Sequence, residues 1–322
     1  MDYSNYKMTL VIPTYNRPAS LQEFLEKLAN KFERAGVKIL IGDSSNNDKT
    51  YKLTRDFQKT NKNIEYIRYC ETIRLSEKQI DLLKHVKTDY LCIVADSYIF
   101  SDYFIESLKD IWGNTLDICL LVNKEDNILN VKAKEYDDPI ELFKDSALYA
   151  TKFGVVIIKN NLISQEYLTN YMVLNYKNTL NYWGLYYQVL PPKIKGSLIL
   201  GDFHYRSVWK NAPWWANDEN MFSVWFRDYY HIIESLPLYY DVHKEKVLKD
   251  RFNKQTKTTF IAFISLREKG IWDIELYREY KFYLEKMLGK KLKWFAYSVC
   301  FIPKKWLSLL RKIIKKFIDK KR

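Results

Sequence analysis

The sequence predicts an α/β fold in which a mostly parallel sheet is flanked by helices and followed by a helical C-terminal extension. Three observations carry this. The first hundred residues alternate apolar runs of strand length with helical apolar stripes. Several of those strands are apolar throughout rather than at every second position, as strands covered on both faces are. Beyond residue 240 the pattern becomes charged and helical. With 322 residues, 47% hydrophobic and 28% charged, the chain has room for one large domain or two modest ones, and disordered and fibrous classes are excluded.

The elements follow in order. Residues 9–13 (TLVIP) read as a buried strand, and 14–17 as the turn before Pro18. Leu21, Phe24, Leu25, Leu28, Ala29 and Phe32 then recur at helical spacing, with Ser20 as the expected N-cap and Gly36 as the stop. Residues 37–41 form a second strand, leading into the turn-like run Asp43-Ser44-Ser45-Asn46-Asn47-Asp48. Residues 64–69, 76–86 and 90–95 give a third strand, a helix and a fourth, wholly apolar strand. A helix over 102–111 and strands over 116–122 and 155–158 continue the pattern. Residues 167–240 hold 19 aromatic side chains, a density that marks this stretch as a source of flat stacking surfaces. Residues 241–289 read as helices.

Composition removes several function classes. No two of the nine glycines are separated by a single residue, which excludes the GxGxxG dinucleotide fingerprint and the Walker loop. Cys70, Cys92, Cys119 and Cys300 form no CxxC pair, so buried reduced thiols in a reducing compartment are expected. The net charge of +13 is uneven. Residues 290–322 hold twelve Lys/Arg and one acid, which leaves only +2 on the other 289 residues. A nearly neutral body argues against a nucleic-acid groove, and the basic tail has its own task. No secretory signal opens the chain, and no apolar run approaches the length of a membrane span. A cytoplasmic protein that touches a membrane is expected.

In parallel sheets, ligands bind beyond the carboxyl ends of the strands. Three loops there carry suitable groups: Pro13-Thr14-Tyr15-Asn16-Arg17, Asp43-Ser44-Ser45, and Ala95-Asp96-Ser97-Tyr98. Tyr15 can lie against a base, and Asp43 can accept from a base N–H or a ribose hydroxyl. Asp96 can hold a divalent cation that neutralises a diphosphate. Alone, each acid reads as a turn former or cap; together they form a nucleotide-and-metal pattern.

The runs TLVIPTYNRPASL, ILIGDSSNND and DYLCIVADSYIFSDYF resemble the N-terminal half of family 2 glycosyltransferases, which have the GT-A fold. The resemblance covers about residues 8–110. It implies that Thr14, Tyr15 and Asp43, with Pro13, Arg17 and Ala95 beside them, hold the nucleotide of a sugar-nucleotide donor. It also implies that Arg74 and Lys78 lie near the diphosphate and Asp96 near the metal. The family's Asp-x-Asp is reduced here to Val94-Ala95-Asp96-Ser97-Tyr98, so one acid remains to hold Mg²⁺ or Mn²⁺. Inverting transfer needs a carboxylate base opposite the leaving diphosphate. By resemblance this is Asp218 or Glu219 at a helix start, with Asp202 as the alternative, and His204 is a further metal ligand or phosphate contact.

Residues 1–110 are thus expected to be the nucleotide-sugar half of a GT-A domain and 111–240 its acceptor half. Residues 241–289 would be a helical extension and 290–322 a basic amphipathic tail. In that tail Trp306, Leu307, Leu309, Leu310, Ile313, Ile314, Phe317 and Ile318 line one face of a helix beginning at Pro303, and lysines and arginines mostly fill the other. This pattern lies in anionic headgroups. The expected function is transfer from a nucleotide donor, UDP-linked first of all, to a glycan. A lipid-linked cell-surface polysaccharide precursor at the inner membrane face is the expected acceptor. The alternatives are a catalytically silent nucleotide-binding membrane scaffold and a sugar nucleotidyltransferase, although PTYNRPAS lacks the latter's Gly-rich basic loop.

Overall fold

The computed structural model describes residues 5–71, 73–175, 177–206, 222–253, 256–303 and 305–308, and for 172–175, 206, 253 and 256–258 the backbone alone. The chain divides into two compact units, Met1–Lys210 and Asn211–Arg322.

The first unit is built on an eight-stranded sheet. Its strands are β1 (Met8–Thr14), β2 (Val37–Asp43), β3 (Ile64–Arg68), β4 (Tyr90–Ile93), β6 (Ile118–Asn123), β7 (Lys134–Tyr136), β8 (Val156–Lys159) and β9 (Gly196–Gly201), in the order β3-β2-β1-β4-β8-β6-β9-β7. Pairings are parallel from β3 through β4 and between β6 and β9, whereas β8 and β7 run antiparallel to their neighbours. A separate pair joins β5 (Tyr98–Phe100) to β10 (His204–Arg206). Helices α1 (Pro18–Arg34), α2 (Lys49–Gln58), α3 (Leu75–Leu83), α4 (Asp102–Gly113), α5 (Pro139–Ala150), α6 (Gln165–Asn175) and α7 (Asn181–Gln188) connect the strands. This is the mostly parallel, helix-flanked sheet that the apolar strands predict, with the GT-A-like arrangement that the resemblance implies.

Helix α1 presents the predicted stripe to the core: Leu21, Phe24, Leu25, Leu28, Ala29 and Phe32 are all buried. It begins at Pro18 rather than after Ser20. Pro18 takes the first helical position, where its missing N–H costs nothing, so Ser20 lies inside the helix. Sequence reading left α2, α5, α6 and α7 unassigned, α2 and α7 for visible reasons. The buried residues of α2 are two threonines, so it has no apolar stripe. Helix α7 is buried almost all round and has no polar face to give a period. Of the four cysteines, Cys92 and Cys119 are buried in the sheet and Cys300 is buried in the helical unit, as expected, but Cys70 is exposed.

The second unit is helical. A π-helical turn, Ser223–Asp228, leads into α8 (Tyr229–Glu234), α9 (Asp241–Asn253), α10 (Thr256–Glu268), α11 (Ile274–Met287) and α12 (Lys290–Val299). Stacked rings form its core. Phe222 lies on Trp272 at 5.0 Å and Phe226 on Phe252 at 4.6 Å. Residues 222–240 thus pack with the C-terminal helices. No helix among the described residues is long and apolar enough to cross a membrane.

Candidate functional site

Register brings the three loops together. Thr14 at the end of β1 pairs with Asp43 at the end of β2. The β1–β4 ladder stops at Val11 and Ile93, so Pro13 lies where β1 has no partner strand on that side, and β4 continues into Asp96. Asn16 adopts a left-handed conformation at φ 53°, which asparagine tolerates better than most side chains. From there it ties the first two loops: its N–H donates to Ser45 Oγ at 2.7 Å, and its Oδ1 accepts from Asn47 Nδ2 at 3.1 Å.

Asp43 is fully buried and surrounded by donors. Its Oδ1 accepts from Ser45 N at 2.8 Å and Ser45 Oγ at 2.5 Å, and its Oδ2 accepts from Tyr66 Oη at 2.7 Å. Burial, reinforced by Asp43, pushes the Tyr66 phenol well above its usual range. Arg68 Nη1 stands 3.9 Å from Asp43, and Arg68 Nη2 donates to the carbonyls of Ser45 and Asn47.

Asp96 is held differently. Only 2% of its side chain is exposed; Oδ2 accepts from Thr14 Oγ1 at 2.7 Å, and Oδ1 lies 2.9 Å from Arg17 Nη1 in an ion pair. Burial nevertheless raises its carboxyl above the usual range, against the pull of Arg17, Thr14 and Lys78. Burial outweighs the ion pair here because Arg17 itself is 35% exposed and therefore partly screened.

Lys78 projects from α3 into the same place. Gly42 makes this possible: a Cβ there would lie 2.5 Å from Leu82 Cδ1, so only glycine lets α3 come this close to β2. The buried ammonium donates to Thr14 O at 2.6 Å and Ser44 Oγ at 2.8 Å. Burial pushes its pKa down to about 8, while Asp43 and Asp96 draw it back up. Beside it, the amide of Gln79, the hydroxyl of Ser97 and, despite its ion pair with Arg17, Oδ1 of Asp96 are buried without a hydrogen-bond partner among the described residues. Buried polar groups of this kind call for water or a ligand.

The structure therefore gathers Pro13, Thr14, Arg17, Asp43, Lys78, Ala95 and Asp96 at one end of the sheet, with Tyr15 exposed on the first loop. Arg74 stands exposed at the start of α3, where its N–H donates to Glu77. Sequence reasoning missed Tyr66 and Arg68. Their two-residue spacing on β3 places both on one face, and only the pairing of Asp43 with Arg68 reveals which carboxylate they serve.

The remaining expectations fare differently. Asp202 is exposed in the turn between β9 and β10, where its carbonyl accepts from Ser101 Oγ. The His204 ring stacks on Tyr98 at 4.7 Å, and Asn123 anchors the His204 backbone. Asp218 and Glu219 lie outside the described residues, as do Lys304 and 309–322 of the tail.

The donor set at Asp96 does not fit a resident divalent cation. Oδ2 is taken by the Thr14 hydroxyl, and Oδ1, though it makes no hydrogen bond, lies against the Arg17 charge at 2.9 Å, whereas a hydrated Mg²⁺ needs room for several waters. Val94 is buried, and Tyr98 is buried against His204, so neither position supplies a second ligand. No group of three or more His, Cys, Asp or Glu side chains comes together among the described residues.

Known proteins agree with this architecture. The family model described as glycosyl transferase family 2 matches residues 9–169, half of the chain. No curated protein sequence matches significantly. Among solved structures, the chain is similar to S. aureus TarS 1-349 in complex with UDP-GlcNAc, with a TM-score of 0.61 and 14% identity over 98% of this chain and 92% of that one. Against the longer S. aureus TarS the TM-score is 0.58 at 15% identity; the match takes in 97% of this chain but 53% of that one, so this chain spans about half its length. A mannosyltransferase from Pyrobaculum calidifontis in complex with GDP-Man and Mn²⁺ gives a TM-score of 0.54 and 12% identity over 99% and 89% of the two chains. At these identities the likeness is one of fold.

Proposed function

The chain belongs to glycosyl transferase family 2 and is a glycosyltransferase, and we propose that it moves a sugar with inversion from a UDP-linked donor to a glycan acceptor. The observation that carries this reading is the convergence of Tyr15, Asp43, Asp96, Arg17 and Lys78 at the carboxyl edge of β1, β2 and β4. Exposed Tyr15 offers a ring for the base. Asp43 and its donors shape the pocket floor for base or ribose, and the two cations face the diphosphate. The UDP-GlcNAc bound by S. aureus TarS supports a UDP-linked donor.

Residues 1–110 serve the donor and 111–240 the acceptor, with 241–289 as a helical extension. The acceptor is a lipid-linked precursor of a cell-surface polysaccharide, met by a cytoplasmic enzyme attached peripherally to the inner membrane face through residues 290–322. Charge and exposed rings support this attachment. Trp294 is 70%, Phe301 59% and Trp306 55% exposed, with Lys290, Lys291, Lys293 and Lys305 close by in sequence. Amphipathic rings and lysines of this kind suit an anionic headgroup layer.

The base that takes the acceptor's proton is Asp218, Glu219 or Asp202. Replacement of the true base by its amide preserves donor binding and lowers turnover by about 10²–10⁴-fold. The test is turnover of a nucleotide-sugar panel, preceded by thermal shifts to find the donor, in the wild type and in Asp218→Asn, Glu219→Gln and Asp202→Asn. Full activity in all three variants rejects this assignment of the base. No shift and no turnover with any nucleotide sugar rejects the donor.

A further inference from the structure

We propose that Arg17, held on Asp96, is the resident cation of the donor site and, together with Lys78, takes up the charge of the donor's diphosphate, so that donor binding needs no divalent ion. This rests on the donor-site reading above.

The argument begins with what surrounds Asp96. A carboxylate that holds Mg²⁺ or Mn²⁺ must turn at least one oxygen toward a hydrated ion. Here Oδ2 is taken by the Thr14 hydroxyl at 2.7 Å and Oδ1 faces the Arg17 guanidinium at 2.9 Å. An incoming ion would have to displace a cation already seated on a nearly inaccessible carboxylate. The two neighbouring positions that could complete an acidic pair hold Val94 and Tyr98, both buried in the hydrophobic core.

Arg17 is suited to the substitute role. It sits at the N-cap of α1, directly after the loop that carries Tyr15, and a third of its side chain meets solvent. A guanidinium presents planar N–H donors that match phosphate oxygens, and it stays charged throughout the physiological range. Asp96 then acts as a positioning residue, fixing the guanidinium as a general anchor fixes a catalytic arginine. Lys78 supplies the second positive charge, anchored to the first loop through Thr14 O and to the second through Ser44 Oγ. As the sugar departs, negative charge grows on the diphosphate, and preorganised cations in a dry site stabilise it without reorganising.

Calorimetry with UDP, GDP and CDP, in EDTA and in MnCl₂, tests this, with ligand-observed NMR of the corresponding nucleosides. The preferred diphosphate should bind in EDTA within about threefold of its affinity in Mn²⁺. Arg17→Met should weaken the diphosphate at least about tenfold while nucleoside binding changes by less than about twofold, and Arg17→Lys should fall between. The wild-type comparison needs no variant to fold. Binding that appears only with Mn²⁺ overturns the inference and leaves the donor site standing. Equal loss of nucleoside and diphosphate in a folded Arg17→Met also overturns it. Failure of every nucleotide in both buffers overturns both readings.

Discussion

The two compact units break the usual rule of apolar inside and polar outside in opposite ways. The sheet unit buries charge: Lys38, Asp43, Lys78 and Asp96 are all nearly inaccessible. The helical unit buries rings and also shows them, with Trp294, Phe301 and Trp306 on its surface beside aliphatic Leu238 and Val242. Burying a charge is costly unless it is paired or hydrogen-bonded, so a sheet that gathers three such groups at one end is organised around something polar. Lys38, by contrast, pairs with Glu65 on strands away from the loops, and that pair is structural. Exposed rings carry the complementary meaning, since a surface that shows several beside lysines is arranged for a partner that is both greasy and anionic.

The largest effect expected from breaking this contrast lies at Asp43. Removing the carboxylate leaves the Ser45 N–H and the Tyr66 hydroxyl without their acceptor, and each buried donor so orphaned costs about 1–3 kcal/mol. Asp43→Ala should therefore lose about 2–4 kcal/mol of stability as well as nucleotide affinity, and Asp43→Asn, which keeps one acceptor, less of both. Urea unfolding with an unchanged slope measures the first quantity. Asp202→Ala, exposed in its turn, should stay within about 0.5 kcal/mol of wild type. Equal stability of Asp43→Ala and Asp202→Ala would show that the Asp43 network does not hold the loop.

A smaller effect is expected from pH, through Lys78. Its folded-state pKa is depressed to about 8 from 10.5, so below pH 8 the buried ammonium is charged and opposes folding. Between about pH 8 and 10.5 the unfolded chain holds more protons at this site, and stability from this group rises with pH. Ligand affinity moves the other way, because the diphosphate loses a positive partner as Lys78 deprotonates. Diphosphate binding should weaken as pH rises through about 8, by up to about tenfold, and Lys78→Met should flatten that limb. A wild-type profile level from pH 7 to 9.5 would remove Lys78 from the diphosphate site.

Much of the sheet's carboxyl edge is legible from sequence because each apolar strand stops at a polar residue: Thr14, Asp43 and Asp96 announce themselves. What binds to them is less legible. The Arg17–Asp96 pair joins loops 79 residues apart in sequence, and nothing in either segment names the other. Tyr66 and Arg68 sit on a strand of intermediate exposure and become meaningful only through its pairing beside β2. That the rings of 222–240 pack with the C-terminal helices is not legible either, because aromatic density says nothing about which core the rings fill. In the C-terminal tail, periodicity from residue 304 onward drew attention past α12, whose exposed face carries Trp294 and Tyr297.

That last point sets the smallest and most discriminating experiment. Deleting residues 290–322 is the obvious test of membrane attachment, but it would also strip the helical unit of its own packing. Leu292, Ala296 and Val299 are buried, and the carbonyl of Ala296 accepts from Trp272 Nε1 at 2.8 Å. A truncated chain that failed to bind vesicles would report a damaged core as readily as a lost anchor. The exposed rings separate the two. Trp294→Gln with Phe301→Gln removes no buried contact, so the unfolding midpoint should hold while binding to anionic vesicles falls severalfold. Added salt should weaken the wild type further, because the lysines act through a screened potential, and neutral vesicles should bind poorly throughout. Co-sedimentation across a salt series, with the melting curve of the same samples, decides it. If the double variant binds anionic vesicles as the wild type does, α12 is not the face that meets the membrane, whatever residues 309–322 contribute.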